Sequence, residues 1–191
     1  MFFNEDLKKI TEVPYGILED LANESRSIDW NLSEFDRKEV TLLEGRLCLL
    51  PFLISKSDQL TDTDSRKKIW NVSKPLVDFV NKIIPNGKIV RGEIVNLIPG
   101  RSLTPHVDIY WFHRESRRIH IPIVTNDQCF LTFENRQHYL EVGTMYEINN
   151  RIVHSAVNNG LTNRVHVILD VMNLDVYNHA LLTKQNFMEM V

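Results

Sequence analysis

Thr104-Pro105-His106-Val107-Asp108, with a lone histidine well downstream at His154, holds the residue types that a non-haem iron site uses. Two imidazoles and one carboxylate occupy three positions around an octahedral ion and leave three open. His-x-Asp is weak by itself, because roughly 0.4 such tripeptides are expected by chance in a chain of this composition. In an extended strand, residues 106 and 108 point to one face and Val107 to the other, so both side chains reach one ion. The same pair also suits a satisfied polar contact, or a hydrolytic zinc site with an open position.

Three further polar residues, Arg164, Arg118 and His120, add weight. If Asn158-Asn159-Gly160 closes a hairpin, Arg164 stands opposite His154 with Cβ atoms roughly 5 Å apart. There its planar guanidinium can grip a carboxylate with two parallel donors. On the segment 117–124, Arg118 and His120 share a face with Pro122 and oppose Ile119, Ile121 and Ile123. An Arg followed two positions later by a His recurs at Arg164 and His166, and the two strands together would line one anionic pocket. For His166 and Asp170, a solvent-facing position is the reasonable alternative. Pro122 marks a bulge or an edge. Tyr110 and Trp111 are candidates for the pocket mouth, with ordinary aromatic packing at least as good an account.

The elements that must position these residues follow from periodicity. After Pro14-Tyr15-Gly16, the spacing of Ile17, Leu18, Leu21 and Ala22 predicts a short helix. Val40 to Ile54 reads as one or two strands, the second restricted to an edge by Pro51, and Lys56 to Lys68 as a polar surface loop. Ser73 is a candidate cap for a helix with Pro75 in its first turn and an apolar stripe of Leu76, Phe79, Val80, Ile83 and Ile84, stopped at Pro85-Asn86-Gly87. Beyond Gly87 the period drops to about two. Candidate strands cover 88–98, 103–110, 117–124, 128–133, 138–142, 144–149, 152–157 and 164–172, with turn residues between them. The expected fold is mainly β with flanking helices, a sandwich, jelly roll or small barrel. It forms a single domain, 1–191: an N-terminal support over 1–87, the β core over 88–172 and a C-terminal tail over 173–191.

Composition narrows the partners. A chain of 191 residues with a net charge of −3 has the size of one domain and no general attraction for phosphate backbones or anionic lipid. Neither nucleic acid nor membrane is therefore expected. The basic run His113-Arg114-Glu115-Ser116-Arg117-Arg118 reads as a solvated loop entering a strand. Two cysteines, Cys48 and Cys129, lie among apolar neighbours and read as small buried residues. The acidic start after Met1-Phe2-Phe3 has no signal-peptide pattern, and a cytoplasmic setting is the expectation.

Thr104 to Asp108, Arg118 to Ile123 with Thr125-Asn126, His154-Ser155-Ala156 and Arg164-Val165-His166, taken in order, resemble the aspartyl/asparaginyl β-hydroxylase family of Fe(II)- and 2-oxoglutarate-dependent dioxygenases. The resemblance covers roughly 88–172. It implies a double-stranded β-helix (jelly roll, cupin-like), with His106, Asp108 and His154 as iron ligands. It implies that Arg164 holds the distal carboxylate of 2-oxoglutarate and that Arg118 and His120 bind the rest of it. The implied reaction consumes 2-oxoglutarate and O2, yields succinate and CO2, and hydroxylates a C–H bond of an amino acid, peptide or protein substrate of Asp, Asn or Pro type. Vertebrate protein-modifying members carry a membrane anchor and helical repeats, and lack the metal-binding carboxylate; in having Asp108 this chain looks more like the bacterial proline hydroxylases of the family, though without their helical C-terminal domain. Two other readings stay open: a zinc-dependent hydrolase, and a non-catalytic jelly roll that binds a dicarboxylate or a protein.

Overall fold

The computed structural model describes residues 4–27, 46–50, 64–109 and 111–180. Two antiparallel sheets face each other. The larger runs in the order β1 (Leu7–Glu12), β8 (Thr144–Ile148), β5 (Ser116–Val124), β10 (Arg164–Asn173), β3 (Gly87–Leu97), β2 (Arg46–Leu50). The smaller runs β4 (Arg101–His106), β9 (His154–Asn158), β6 (Cys129–Phe133), β7 (Arg136–His138). From β3 onward the chain passes back and forth between the sheets, with only β6 and β7 consecutive in one sheet, and this is the double-stranded β-helix that the family resemblance implied.

Strand alternation divides the core into two layers. One face of the central strands carries Ile94, Ile119, Ile121, Val165, Val167, Leu169 and Val171. These pack against Leu18 and Leu21 of α1 (Tyr15–Ser27) and Ile69, Leu76 and Val80 of α2 (Asp64–Ile83). Each such side chain, fully buried, contributes about 1.5–3 kcal/mol. The other face looks into the space between the sheets, where Leu97, Leu131, Phe133, Leu140, Tyr146, Ile148 and Ala156 form a second cluster. Arg118, His120, Arg164, His166 and Asp170 also face this interior, and all are buried. His166 and Asp170, each 1% exposed, are thus not the solvent-facing residues of an open sandwich. A second sheet covers the face that simple alternation would give to water.

Several expected boundaries shift. Ser73 lies inside α2 and donates its Oγ hydrogen to the Ile69 carbonyl at 2.7 Å, so it is not an N-cap. Pro75 is likewise interior, on an exposed position where water can take the carbonyl of Asn71 that its missing N–H leaves unbonded. Residues 64–68, expected in a loop, are helical. The strands expected at 103–110 and 138–142 are observed at 101–106 and 136–138. Strand β1, which the mixed pattern of the first residues concealed, pairs with β8. Pro122 sits in a central strand at a register shift, so the bulge and not the edge is correct. The run from His113 to Arg118 is no solvated loop: α3 (Trp111–Glu115) and β5 bury His113, Ser116 and Arg118. Residues 174–180 are helical, and the expected strand beyond residue 50 lies outside the described residues.

The largest correction concerns Asn158-Asn159-Gly160. It is not a hairpin turn: β9 pairs with β4 and β6, whereas β10 pairs with β3 and β5, so the link carries the chain from one sheet to the other. Asn158 staples the crossing. Its Nδ2 donates to the Leu97 and Thr162 carbonyls at 2.8 Å each, and its Oδ1 accepts from Asn126 and from the Gly160 N–H. A Cβ at Gly160 would overlap the Asn126 side-chain amide, which would have to shift away from its bonds to Asn158 and Thr162.

Candidate active site

Local backbone chemistry brings the first two histidines together. On β4 the partner of Leu103 is Ala156, which in regular register would set Pro105 opposite His154. The register instead shifts by one, and His106 faces His154. Pro105 has no N–H to give to the ladder, and a bulge there re-aims the next side chain. The two imidazole centroids lie 4.4 Å apart.

Each ring is fixed by its own strand. Nδ1 of His106 lies 2.8 Å from the Thr104 carbonyl and Nδ1 of His154 lies 2.9 Å from the Ile152 carbonyl. A carbonyl only accepts, so each Nδ1 carries the proton and each Nε2 keeps its lone pair for an ion. Burial pushes the His154 pKa below its ordinary value, which favours the neutral, ligating form.

Asp108 is held differently. The strand ends at His106, so shared strand alternation does not place the carboxylate. Its backbone N–H donates to the Asn150 carbonyl at 3.2 Å, and its Oδ2 accepts from Arg118 Nη1 at 2.6 Å. The other oxygen, Oδ1, lies 3.8 Å from His106 Nε2. One ligating atom from each of His106, Asp108 and His154 falls within 4.8 Å of the others, a spacing that one ion can span.

Arg118, expected to touch the cosubstrate, is engaged elsewhere. Its Nε and Nη2 donate to the two oxygens of Asp170 at 3.0 Å each, Nη1 takes Asp108, and Nη2 also donates to His113 Nε2 at 2.9 Å. Arg91 extends the cluster, pairing with Glu93 and lying 3.6 Å from Asp170.

Arg164 has the opposite surroundings. It is 4% exposed, and its guanidinium forms no hydrogen bond or ion pair among the described residues. Burial lowers its pKa to about 10, opposed by Cys129. It lines a tight crevice, with no room for a water molecule between the side chains as they stand, together with Thr125, Cys129, Phe130, Leu131, Leu140 and His166. His120 and His166 stand beside it, edge to face at 5.9 Å. All four of their ring nitrogens are buried without a partner. Both are held neutral, by burial first and by Arg164 next. His120 also feels His154, which places it between the Arg164 end and the metal-ligand end of the interior. The Arg-x-His repeat at 118–120 and 164–166 signalled this crevice, but the sequence does not separate a covered face from a solvated one, and His166 was left undecided.

The surface beside Asp108 is concave. A cleft of about 340 Å³ is bounded by Val107, Asp108, Ile109, Arg114, Glu115 and Arg151. Tyr110 lies outside the described residues, and the Trp111 side chain is likewise not described.

A jelly roll with two histidines and an aspartate converging at one end of its interior is the architecture of the Fe(II)- and 2-oxoglutarate-dependent oxygenases, for which Fe(II), 2-oxoglutarate and O2 are cofactor and cosubstrates. The chain belongs to the aspartyl/asparaginyl β-hydroxylase family, whose sequence profile matches residues 62–173. Solved structures with a similar fold include a prolyl-4-hydroxylase from Pseudomonas putida, 13% identical with TM-score 0.55, over 89% of this chain and 94% of that one. A viral collagen prolyl hydroxylase from Paramecium Bursaria Chlorella virus-1 is 10% identical with TM-score 0.53, over 89% and 97%. SnoN, a non-heme alpha-ketoglutarate-dependent epimerase from nogalamycin biosynthesis, is 13% identical with TM-score 0.58, over 88% and 78%. Among curated proteins no relative matches by sequence. No helix of the described residues is long and apolar enough to cross a membrane.

Proposed function

We propose that the protein is a hydroxylase that uses His106, Asp108 and His154 to hold Fe(II), and that its substrate is an amino acid or an amino-acid residue. The observation that carries this reading is the convergence of three ligand atoms within 4.8 Å, two of them imidazole Nε2 atoms freed by Nδ1–H bonds to the backbone. When bound, Fe(II) supplies the chemistry by which O2 converts 2-oxoglutarate to succinate and CO2 and places one oxygen atom on a substrate carbon.

The chain's part is binding and aim. Arg164, a buried cation awaiting an anion, receives the distal carboxylate of 2-oxoglutarate with two donors. His120 and His166, neutral and unpartnered, each offer one N–H to the same bound acid. The cleft lined by Val107, Ile109, Arg114 and Arg151 admits the substrate beside Asp108.

The test is O2-dependent succinate formation by the purified protein with Fe(II), 2-oxoglutarate and a panel of free amino acids and peptides, with mass detection of one added oxygen. His106→Ala is expected to abolish succinate formation while leaving the fold intact. Turnover at the wild-type rate in that variant, or hydrolysis without O2, would sink the reading.

A further inference from the structure

The three ligands differ in what restrains them. His106 and His154 are fixed by paired strands and by their own backbone carbonyls. Asp108 lies past the end of β4, and Arg118 Nη1 at 2.6 Å is its side-chain restraint.

Arg118 can serve as a bracket because it is itself immobilised. Arg91, Asp170 and Arg118 are register partners on three adjoining strands, β3, β10 and β5, and so form one row across the middle of the larger sheet. Asp170, 1% exposed, receives two parallel donors from Arg118. A guanidinium is planar, so gripping it along Nε and Nη2 also fixes the direction of Nη1. The same group donates to His113 on α3, tying down the segment that follows Asp108.

Resting on the metal-site reading above, we infer that Asp170 is a positioning residue for the ligand Asp108, acting through Arg118. With Oδ2 taken by Arg118, Oδ1 is the atom left on the side of His106.

The test uses Mn(II) binding to the full chain, followed by the loss of the free-ion paramagnetic resonance signal, with neither 2-oxoglutarate nor O2 present. Asp170→Asn is expected to weaken Mn(II) binding about 10–100-fold, the usual effect of removing a group that orients a ligand. Because that change strands a buried cation, the double variant Asp170→Leu/Arg118→Met is the companion: it removes both charges together, which folds commonly tolerate. It too is expected to bind Mn(II) at least about ten-fold more weakly. At saturating metal its KM for 2-oxoglutarate should stay within about two-fold of wild type, since no cosubstrate contact is lost. Unchanged Mn(II) affinity in a folded variant would overturn the inference. So would an unchanged metal affinity joined to a raised KM, which would make Arg118 a cosubstrate residue. Wild-type protein that took up no Mn(II) would remove the metal-site reading itself, and the wild-type titration shows this separately.

Discussion

Arg118 and Arg164 project from neighbouring strands into the same interior, and both are nearly inaccessible to water, at 6% and 4% exposure. For Arg118, burial works against the charged form, yet Asp170 and Asp108 outweigh it and raise its pKa above the ordinary value. For Arg164, burial lowers the pKa to about 10, and among the described residues no carboxylate pairs with it. A buried cation with its anions built in is part of the scaffold. One without them is stabilised by what binds, and the neutral, unpartnered His120 and His166 beside it point the same way. Residue type and strand position do not separate the two arginines; their partners do.

The contrast can be broken by removing each charge in turn. Arg118→Met leaves Asp108 buried without its cation and Asp170 with only the more distant Arg91, and is expected to cost about 3–5 kcal/mol in denaturant unfolding. Arg164→Met should instead leave the stability of the ligand-free protein unchanged or improved, because it removes an uncompensated charge. Its penalty appears on binding: losing charge-assisted hydrogen bonds worth about 1.5–3 kcal/mol raises the 2-oxoglutarate requirement about 10–100-fold, read from KM or from the thermal shift that the acid produces. Equal destabilisation by the two variants would erase the distinction.

A milder probe is pH. Burial first, then Arg118, lowers the His113 pKa from 6.5 to about 4 in the folded protein, with Asp170 opposing. As pH falls, the unfolded chain takes up this proton before the folded one does. The contribution is therefore complete above pH 6.5 and is lost between 6.5 and about 4, at up to about 1.4 kcal/mol per pH unit. His113→Gln should flatten stability over that window relative to wild type, in unfolding curves collected at several pH values. The same slope in both proteins would show that His113 stays protonated when folded.

Much of this was legible from local pattern. The change of period at Gly87 gave most strands of the β core, and the apolar spacings gave both long helices, because each pattern reports which side of an element meets other chain. Ser73 was misplaced because a serine suits a cap as readily as an interior bond to the carbonyl four residues back. The pairing of His154 with Arg164 failed for a deeper reason. Asn-Asn-Gly marks a reversal of the chain, but not whether the next strand joins the same sheet or the facing one, and Asn158 settles that through partners at Leu97 and Asn126, far away in sequence.

The sequence by itself determined the residue types of the site and a β core, which follow from short-range order in the chain, and the family and its jelly-roll fold, which follow from the resemblance of its ordered motif blocks. Only the tertiary structure decided how those residues divide the work. The bulge at Pro105 sets His106 against His154, the row Arg91–Asp170–Arg118 fixes Asp108, and Arg164 is left beside His166 with no carboxylate partner among the described residues. The physical reason is that a buried charge is defined by its partners, and here those partners come from strands distant in sequence that meet only when the two sheets close.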